Sequence, residues 1–165
     1  MKRILLIVMA MALTVGAMAQ VNITKVDRLS PTDEIFMDLA VTAAKKSVNE
    51  NGAPCGAVII LNGAWRSTGI PSGDKTAEEV AYEKSRRDSL KGASIYTVNE
   101  PTTKAYNALC ASGVDCIYFV NPRDVVVAAG IYPASAYDDS KVTPGATPVP
   151  MKCIPFADAS ALIQK

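Results

Sequence analysis

Thr76-Ala77-Glu78-Glu79 heads one helix of this chain, and Glu100-Pro101-Thr102-Thr103-Lys104-Ala105 heads the next. A threonine stands at each head, where its hydroxyl can accept from a free backbone N–H. Glu78 and Glu79 fall in a first turn, where the helix dipole favours negative charge. Between the two heads, Lys91-Gly92 is a turn. Ala93 to Asn99 follows as a strand carrying Ile95, Tyr96, Thr97 and Val98. Helix, strand and helix in this order form part of a β-α-β crossover, so the strand belongs to a sheet covered by helices.

Working outward, Ser30-Pro31-Thr32-Asp33-Glu34 is a helix start. Ser30 caps, Pro31 suits the first helical position, and the acids suit the positive end. Ile35, Phe36, Leu39, Ala40 and Ala43 recur at helical spacing and predict one apolar face, ending at Asn51-Gly52. Residues 55–61 are nearly all apolar, the pattern of a strand covered on both faces. Asn62-Gly63 marks a hairpin, with residues 64–68 as the returning strand carrying Trp65. Residues 69–74 read as loop. Residues 76–90 read as helix, with Val80, Ala81 and Tyr82 inward and Lys84, Arg86 and Arg87 near its negative end. Residues 102–112 form a third helix, stopped at Gly113, and residues 114–120 a further strand. Residues 123–129 fit helix or strand by periodicity. The three prolines and the glycine of residues 144–150 predict irregular chain, and residues 156–163 a short terminal helix. The order α-β-β-α-β-α-β predicts an α/β fold: a three-layer α-β-α sandwich around a mixed sheet.

Residues 1–19 read as a secretory signal peptide. Lys2 and Arg3 form a charged start, residues 4–15 an apolar run, and Ala17-Met18-Ala19 a small-x-small cleavage site. The run is too short for a stable transmembrane span. The expectation is a secreted or periplasmic protein, off the membrane after cleavage, whose residues 20–165 form one domain with an irregular tail over about residues 140–155. Lys and Arg number 17 against 16 Asp and Glu, with no basic stripe, so nucleic-acid binding has no electrostatic support. Cys55, Cys110, Cys116 and Cys153 could form disulfides after export or remain core thiols. They include no C-x-x-C pair, which makes a cysteine-only zinc site a poor fit. The chain contains no histidine at all. That excludes a Ser-His-Asp triad, a Cys-His pair and any His-ligated metal.

Several segments nonetheless resemble a known family. Ala53-Pro54-Cys55-Gly56-Ala57-Val58-Ile59, Leu90-Lys91-Gly92-Ala93-Ser94-Ile95-Tyr96-Thr97 and Val114-Asp115-Cys116-Ile117-Tyr118-Phe119 are similar to strands of the cytidine-deaminase-like superfamily, in its guanine and tRNA-adenosine deaminase branch. Residues 121–138 resemble the helix and the Asp- and Tyr-rich tail that follow, which implies that residues 123–129 are helical. The family signature is H-x-E followed by P-C-x-x-C, holding a zinc ion that activates water. By that resemblance Glu78 is the proton shuttle and Pro101 orients the second helix. Thr76, Thr102 and Ala105 stand where the zinc ligands would be. A Thr hydroxyl is a poor neutral ligand for zinc, and Ala has no ligand atom. The family's substrate-contacting Asn falls near Pro71. The resemblance therefore implies the fold without its zinc, and no cofactor.

The expected site is Glu78 with Thr76, Pro101, Thr102, Lys104 and Ala105. Lys104 is placed to pair with Glu78 or to bind an anion beside two helix N-termini. Tyr82, Tyr96, Tyr106 and Trp65 read as core or pocket lining. Three functions follow. The first is a secreted, catalytically inactive deaminase-like protein that binds a nucleobase-like small molecule or a protein partner. The second is a hydrolase acting on a nucleobase or nucleoside C–N bond through metal-free chemistry at Glu78 and Lys104. The third is a structural domain with a filled pocket, a homodimer through family-like surfaces.

Overall fold

A computed structural model describes residues 21–86, 89–143 and 147–164. The expected signal peptide and Arg87 lie outside the described residues.

The elements run in chain order as β1 (Ile23–Lys25), α1 (Pro31–Asn49), β2 (Ala57–Leu61), β3 (Ala64–Gly69), α2 (Ala77–Ser85), β4 (Ala93–Asn99), α3 (Thr103–Ser112), β5 (Cys116–Asn121), α4 (Arg123–Ala128), β6 (Met151–Cys153) and α5 (Ala157–Ala161). Among the described residues the strands form one mixed sheet, ordered β1-β6-β5-β4-β2-β3. β2 pairs antiparallel with β3 and β4, while β4, β5, β6 and β1 run parallel. The hairpin turn between β2 and β3 puts Asn62 at φ 53° and Gly63 at φ 76°, the left-handed pair that a tight two-residue turn requires.

Two core clusters lie on opposite faces of the sheet. Ile95 and Thr97 of β4 face α2 and α3, while Tyr96 and Val98 face α1, as the pleat demands. Ala77, Ala81, Tyr106 and Leu109 of α2 and α3 build the first cluster with Ile59, Ile117 and Phe119. Met37, Ala40, Val41 and Ala44 of α1, with Ala159 of α5, build the second. Small residues let the helices press close to the strands. A Cβ on Gly69 would lie 2.0 Å from the Ala77 carbonyl oxygen, and one on Gly56 2.3 Å from that of Ala40. These two glycines are where α2 and α1 sit against the sheet.

Several expectations are corrected. Helix α1 begins as read, with Ser30 Oγ accepting from Asp33 N, but its buried face is Met37, Ala40, Val41, Ala43 and Ala44; Ile35 is 63% exposed and Leu39 38%. Trp65 is also exposed, its indole donating to Thr68 Oγ1 at 2.9 Å. Helix α2 stops at Ser85 rather than near Leu90. Arg86 turns left-handed at φ 51°, which frees Leu90 to enter the core and donate its N–H to Ser112 O. The stretch expected to be an irregular tail contains β6, and β1 was not anticipated. Each is three residues long and gains its order from pairing with a distant segment. Helix α4 is formed, as the resemblance implied. All four cysteines are free thiols.

Candidate functional site

The site lies where the heads of α2 and α3 meet. Each head is completed by its own threonine. Thr76 Oγ1 accepts from Glu79 N at 3.4 Å, and Glu79 Oε2 accepts from Thr76 N at 2.9 Å, a reciprocal capping box. Thr102 Oγ1 accepts from Ala105 N at 3.3 Å. Glu79 also faces across to the other head, where Lys104 Nζ lies 2.9 Å from its Oε1. Lys104 thus pairs with Glu79 and not with Glu78. The reason is angular: Glu79, three residues after the cap, points outward to its own cap, and Glu78 is turned about 100° away, into the protein. Lys104 stays mostly in solvent.

Glu78 is the buried acid of the site, 3% exposed. The Thr97 hydroxyl donates to its Oε1, while Oε2 has no hydrogen-bond partner among the described residues. Burial pushes its carboxyl above the ordinary value; the Thr97 hydroxyl, its own backbone N–H and Thr76 pull the other way. A buried carboxyl oxygen without a partner costs on the order of 1–3 kcal/mol, and more if charged. Such a group is retained at the expense of stability, which makes it the most informative atom of the site.

Beside Glu78 lie groups that were not read from the sequence as site residues. Asn99, at the end of β4, donates through Nδ2 to Pro54 O at 3.1 Å and to Cys55 Sγ at 3.2 Å. Its Oδ1 accepts from Asn121 Nδ2 at 3.0 Å, joining the ends of β4 and β5. Burial pushes the Cys55 thiol up to about 11, opposed by a hydrogen bond from Tyr132 and reinforced by Glu78. It is therefore a neutral thiol and a weak nucleophile at neutral pH. Glu100 is fully buried and accepts from Arg123 N at 2.8 Å and Arg123 Nε at 2.7 Å; the same guanidinium donates to both oxygens of Asp139. Their position at the ends of successive parallel strands was the available signal, since ligands bind there in open α/β sheets.

The other expected residues are placed as follows. Pro101 is buried ahead of α3, and Ala105 is fully buried in its first turn. Tyr106 belongs to the core, with its hydroxyl donating to Val149 O at 3.0 Å. Tyr82 packs partly buried on the same cluster. Tyr96 is on the α1 side, donating to Asp33 Oδ1 at 2.6 Å, and takes no part in the site.

The zinc implied by the fold does not suit the donors present. Both threonine hydroxyls are engaged as caps, Ala105 offers no donor, and among the described residues no group of three or more His, Cys, Asp or Glu could hold a metal. The set that remains is a buried carboxyl, a neutral thiol and a carboxamide. Chemically, it can donate and accept hydrogen bonds at the edge of an uncharged ligand.

No family profile matches the chain. The diaminohydroxyphosphoribosylamino-pyrimidine deaminase of Schizosaccharomyces pombe is 42% identical over 79 residues, a match covering 43% of this chain and 20% of that protein. The chain thus spans about a fifth of the length of that curated relative. Among solved structures, the guanine deaminase of Bacillus subtilis superposes with a TM-score of 0.55 at 28% identity, over 59% of this chain and 69% of that one. A tRNA:A34 deaminase that performs A-to-I editing superposes with a TM-score of 0.62 at 21% identity, over 78% of this chain and 98% of that one. Chains of the same fold have been solved in complex with 2,6-diaminopurine and 8-azaguanine. The six-stranded mixed sheet with its flanking helices is the cytidine-deaminase-like fold.

Proposed function

We propose that this protein is an exported, zinc-free member of the deaminase-like fold that binds a nucleobase-like small molecule at Glu78 without deaminating it. The observation that carries this reading is the unpartnered Oε2 of a fully buried acid between two helix heads. A relic under no selection would be expected to drift to an apolar residue, because the buried oxygen lowers stability. A ligand atom that donates to or accepts from Oε2 removes the penalty in the bound state. An uncharged lactam or amidine edge, as found in purines, offers a donor and an acceptor side by side. That fold relatives were solved with 2,6-diaminopurine and 8-azaguanine supports the same ligand class. Two features point to loss of catalysis: the site's histidine and cysteine positions hold Thr76, Thr102 and Ala105, and those threonines are used as caps. Export rests on the charged start, apolar run and small-x-small site within residues 1–19.

A thermal-shift series tests this directly. The mature chain is melted with guanine, 2,6-diaminopurine, cytosine, adenine and their nucleosides. A ligand present at about a hundred times its Kd stabilises by about 2.7 kcal/mol, which raises Tm by roughly 5–10 °C for a chain of this size. The expected result is such a shift with at least one purine and its loss in Glu78→Ala. No shift with any base at millimolar concentration would refute the reading.

A further inference from the structure

Glu78 and Cys55 are both 3% exposed, and the grooves of about 740 and 340 Å3 lie elsewhere on the protein, with neither residue in their walls. A ligand of the proposed kind cannot touch Oε2 while these residues stay covered. The cover is supplied by the chain itself. After α4, residues 131–142 cross the head of α3. Ile131 and Tyr132 pack on the cluster that holds Cys55, Ala57 and Ala77. Tyr132 is half-buried there, near enough to the Cys55 thiol and to Glu78 that both add to the effect of burial in pushing its hydroxyl upward.

The way this segment is tied down differs from the way the core is held. Its ties are polar and lie at or near the surface. Tyr137 Oη donates to Glu100 O at 3.0 Å, and Asp138 N donates to Thr103 Oγ1 at 2.8 Å. Asp139 accepts from Arg123 Nη1 at 3.0 and 3.1 Å while remaining 60% exposed. Asn107 Nδ2 donates to Lys141 O at 2.9 Å. Apart from Ile131, Tyr132 and Val142, the segment contributes little to the core. Segments with few buried apolar contacts and exposed hydrogen bonds open locally without global unfolding.

We propose that residues 131–142 are an occluding strap, in which Tyr132 stands where the ligand ring would stand. The strap must lift for a planar, uncharged heterocycle to reach Cys55, Asn99 and Glu78. This rests on the binding function proposed above and adds its gate. Tyr132 is itself a planar ring with one polar tip, so the space it vacates suits a flat ring with a hydrogen-bonding edge. The occupant also sets specificity: a ligand binds only if its contacts exceed those of Tyr132.

Cys55 reports on the strap, because it lies beneath it. The full chain is treated with N-ethylmaleimide and the rate at each cysteine is read by peptide mass spectrometry. In the double variant Tyr137→Phe/Asp139→Asn two ties are cut and the core is untouched. The rate at Cys55 is expected to rise about tenfold, with the rate at Cys110 unchanged. In parallel, Tyr132→Ala is expected to bind 2,6-diaminopurine about tenfold more tightly than the unaltered chain. An unchanged Cys55 rate overturns the strap, and so does a rise at Cys55 and Cys110 together, which would mean general loosening. Faster Cys55 labelling with no 2,6-diaminopurine bound by any variant keeps the strap and overturns the ligand.

Discussion

Glu78→Gln is expected to make the protein more stable at pH 7, although it alters the central residue of the site. Burial raises the folded-state pKa of Glu78 above its ordinary value of 4.5. The folded chain therefore keeps a proton that the unfolded chain releases. The sign follows from proton linkage: stability is full below pH 4.5 and is lost as pH rises from there through the folded value. Glutamine has no proton to lose, so the variant escapes that loss. It still offers an oxygen to the Thr97 hydroxyl, which donates to Oε1 of Glu78. The two proteins should melt together near pH 4 and separate as pH rises. At pH 7 the gap is at most about 3 kcal/mol, or several degrees in Tm. Melting curves at pH 4, 5.5 and 7 check it. A variant less stable than the unaltered chain at pH 7 would mean that the carboxylate is ionised and satisfied, contrary to the unpartnered Oε2.

The largest loss is expected from Gly69→Ala, at the end of β3. The new Cβ would meet backbone atoms on two sides, 2.0 Å from Ala77 O and 2.5 Å from Ala81 N. Neither can rotate away, so α2 as a whole must move off the sheet. Ser67 Oγ donates to Ala81 O at 2.7 Å from the same strand, and that bond would stretch with it. Overpacking of this kind costs about 3 kcal/mol or more. Tm should fall by roughly 6–12 °C, and any purine-induced shift should disappear because the head of α2 carries Glu78. Retained stability and retained ligand response would show that α2 is not seated on β3 as described.

The two helix heads were legible from sequence because capping is a local code. Thr76 followed three residues later by Glu79 forms a reciprocal box, and Thr102 caps alone by accepting from Ala105 N; each specifies its own hydrogen bonds wherever the helix packs. The same holds for Asn62-Gly63, which determines the β2–β3 turn by its backbone preferences. The choice between Glu78 and Glu79 needed the fold: adjacent acids in one turn have opposite fates, one on the cap and one in the core. Strands β1 and β6 were missed because Ile23-Thr24-Lys25 and Met151-Lys152-Cys153 carry no period of their own. They are strands because parallel partners lie beside them. Tyr132 was missed for a related reason. It reaches Cys55 only because α4 and the turn after it carry the chain back over the head of α3, and nothing in its neighbouring residues encodes that return.

The proposed function requires that this chain keep the deaminase-like fold and the buried Glu78 without zinc chemistry. The most direct test is one sample with two readouts. The protein is incubated with zinc, washed and analysed for bound metal, then supplied with guanine, adenosine and cytidine while ammonia is measured. Far less than one zinc per chain and no ammonia above the protein-free control are expected. One zinc per chain, with ammonia release that Glu78→Gln abolishes, would contradict the proposed function.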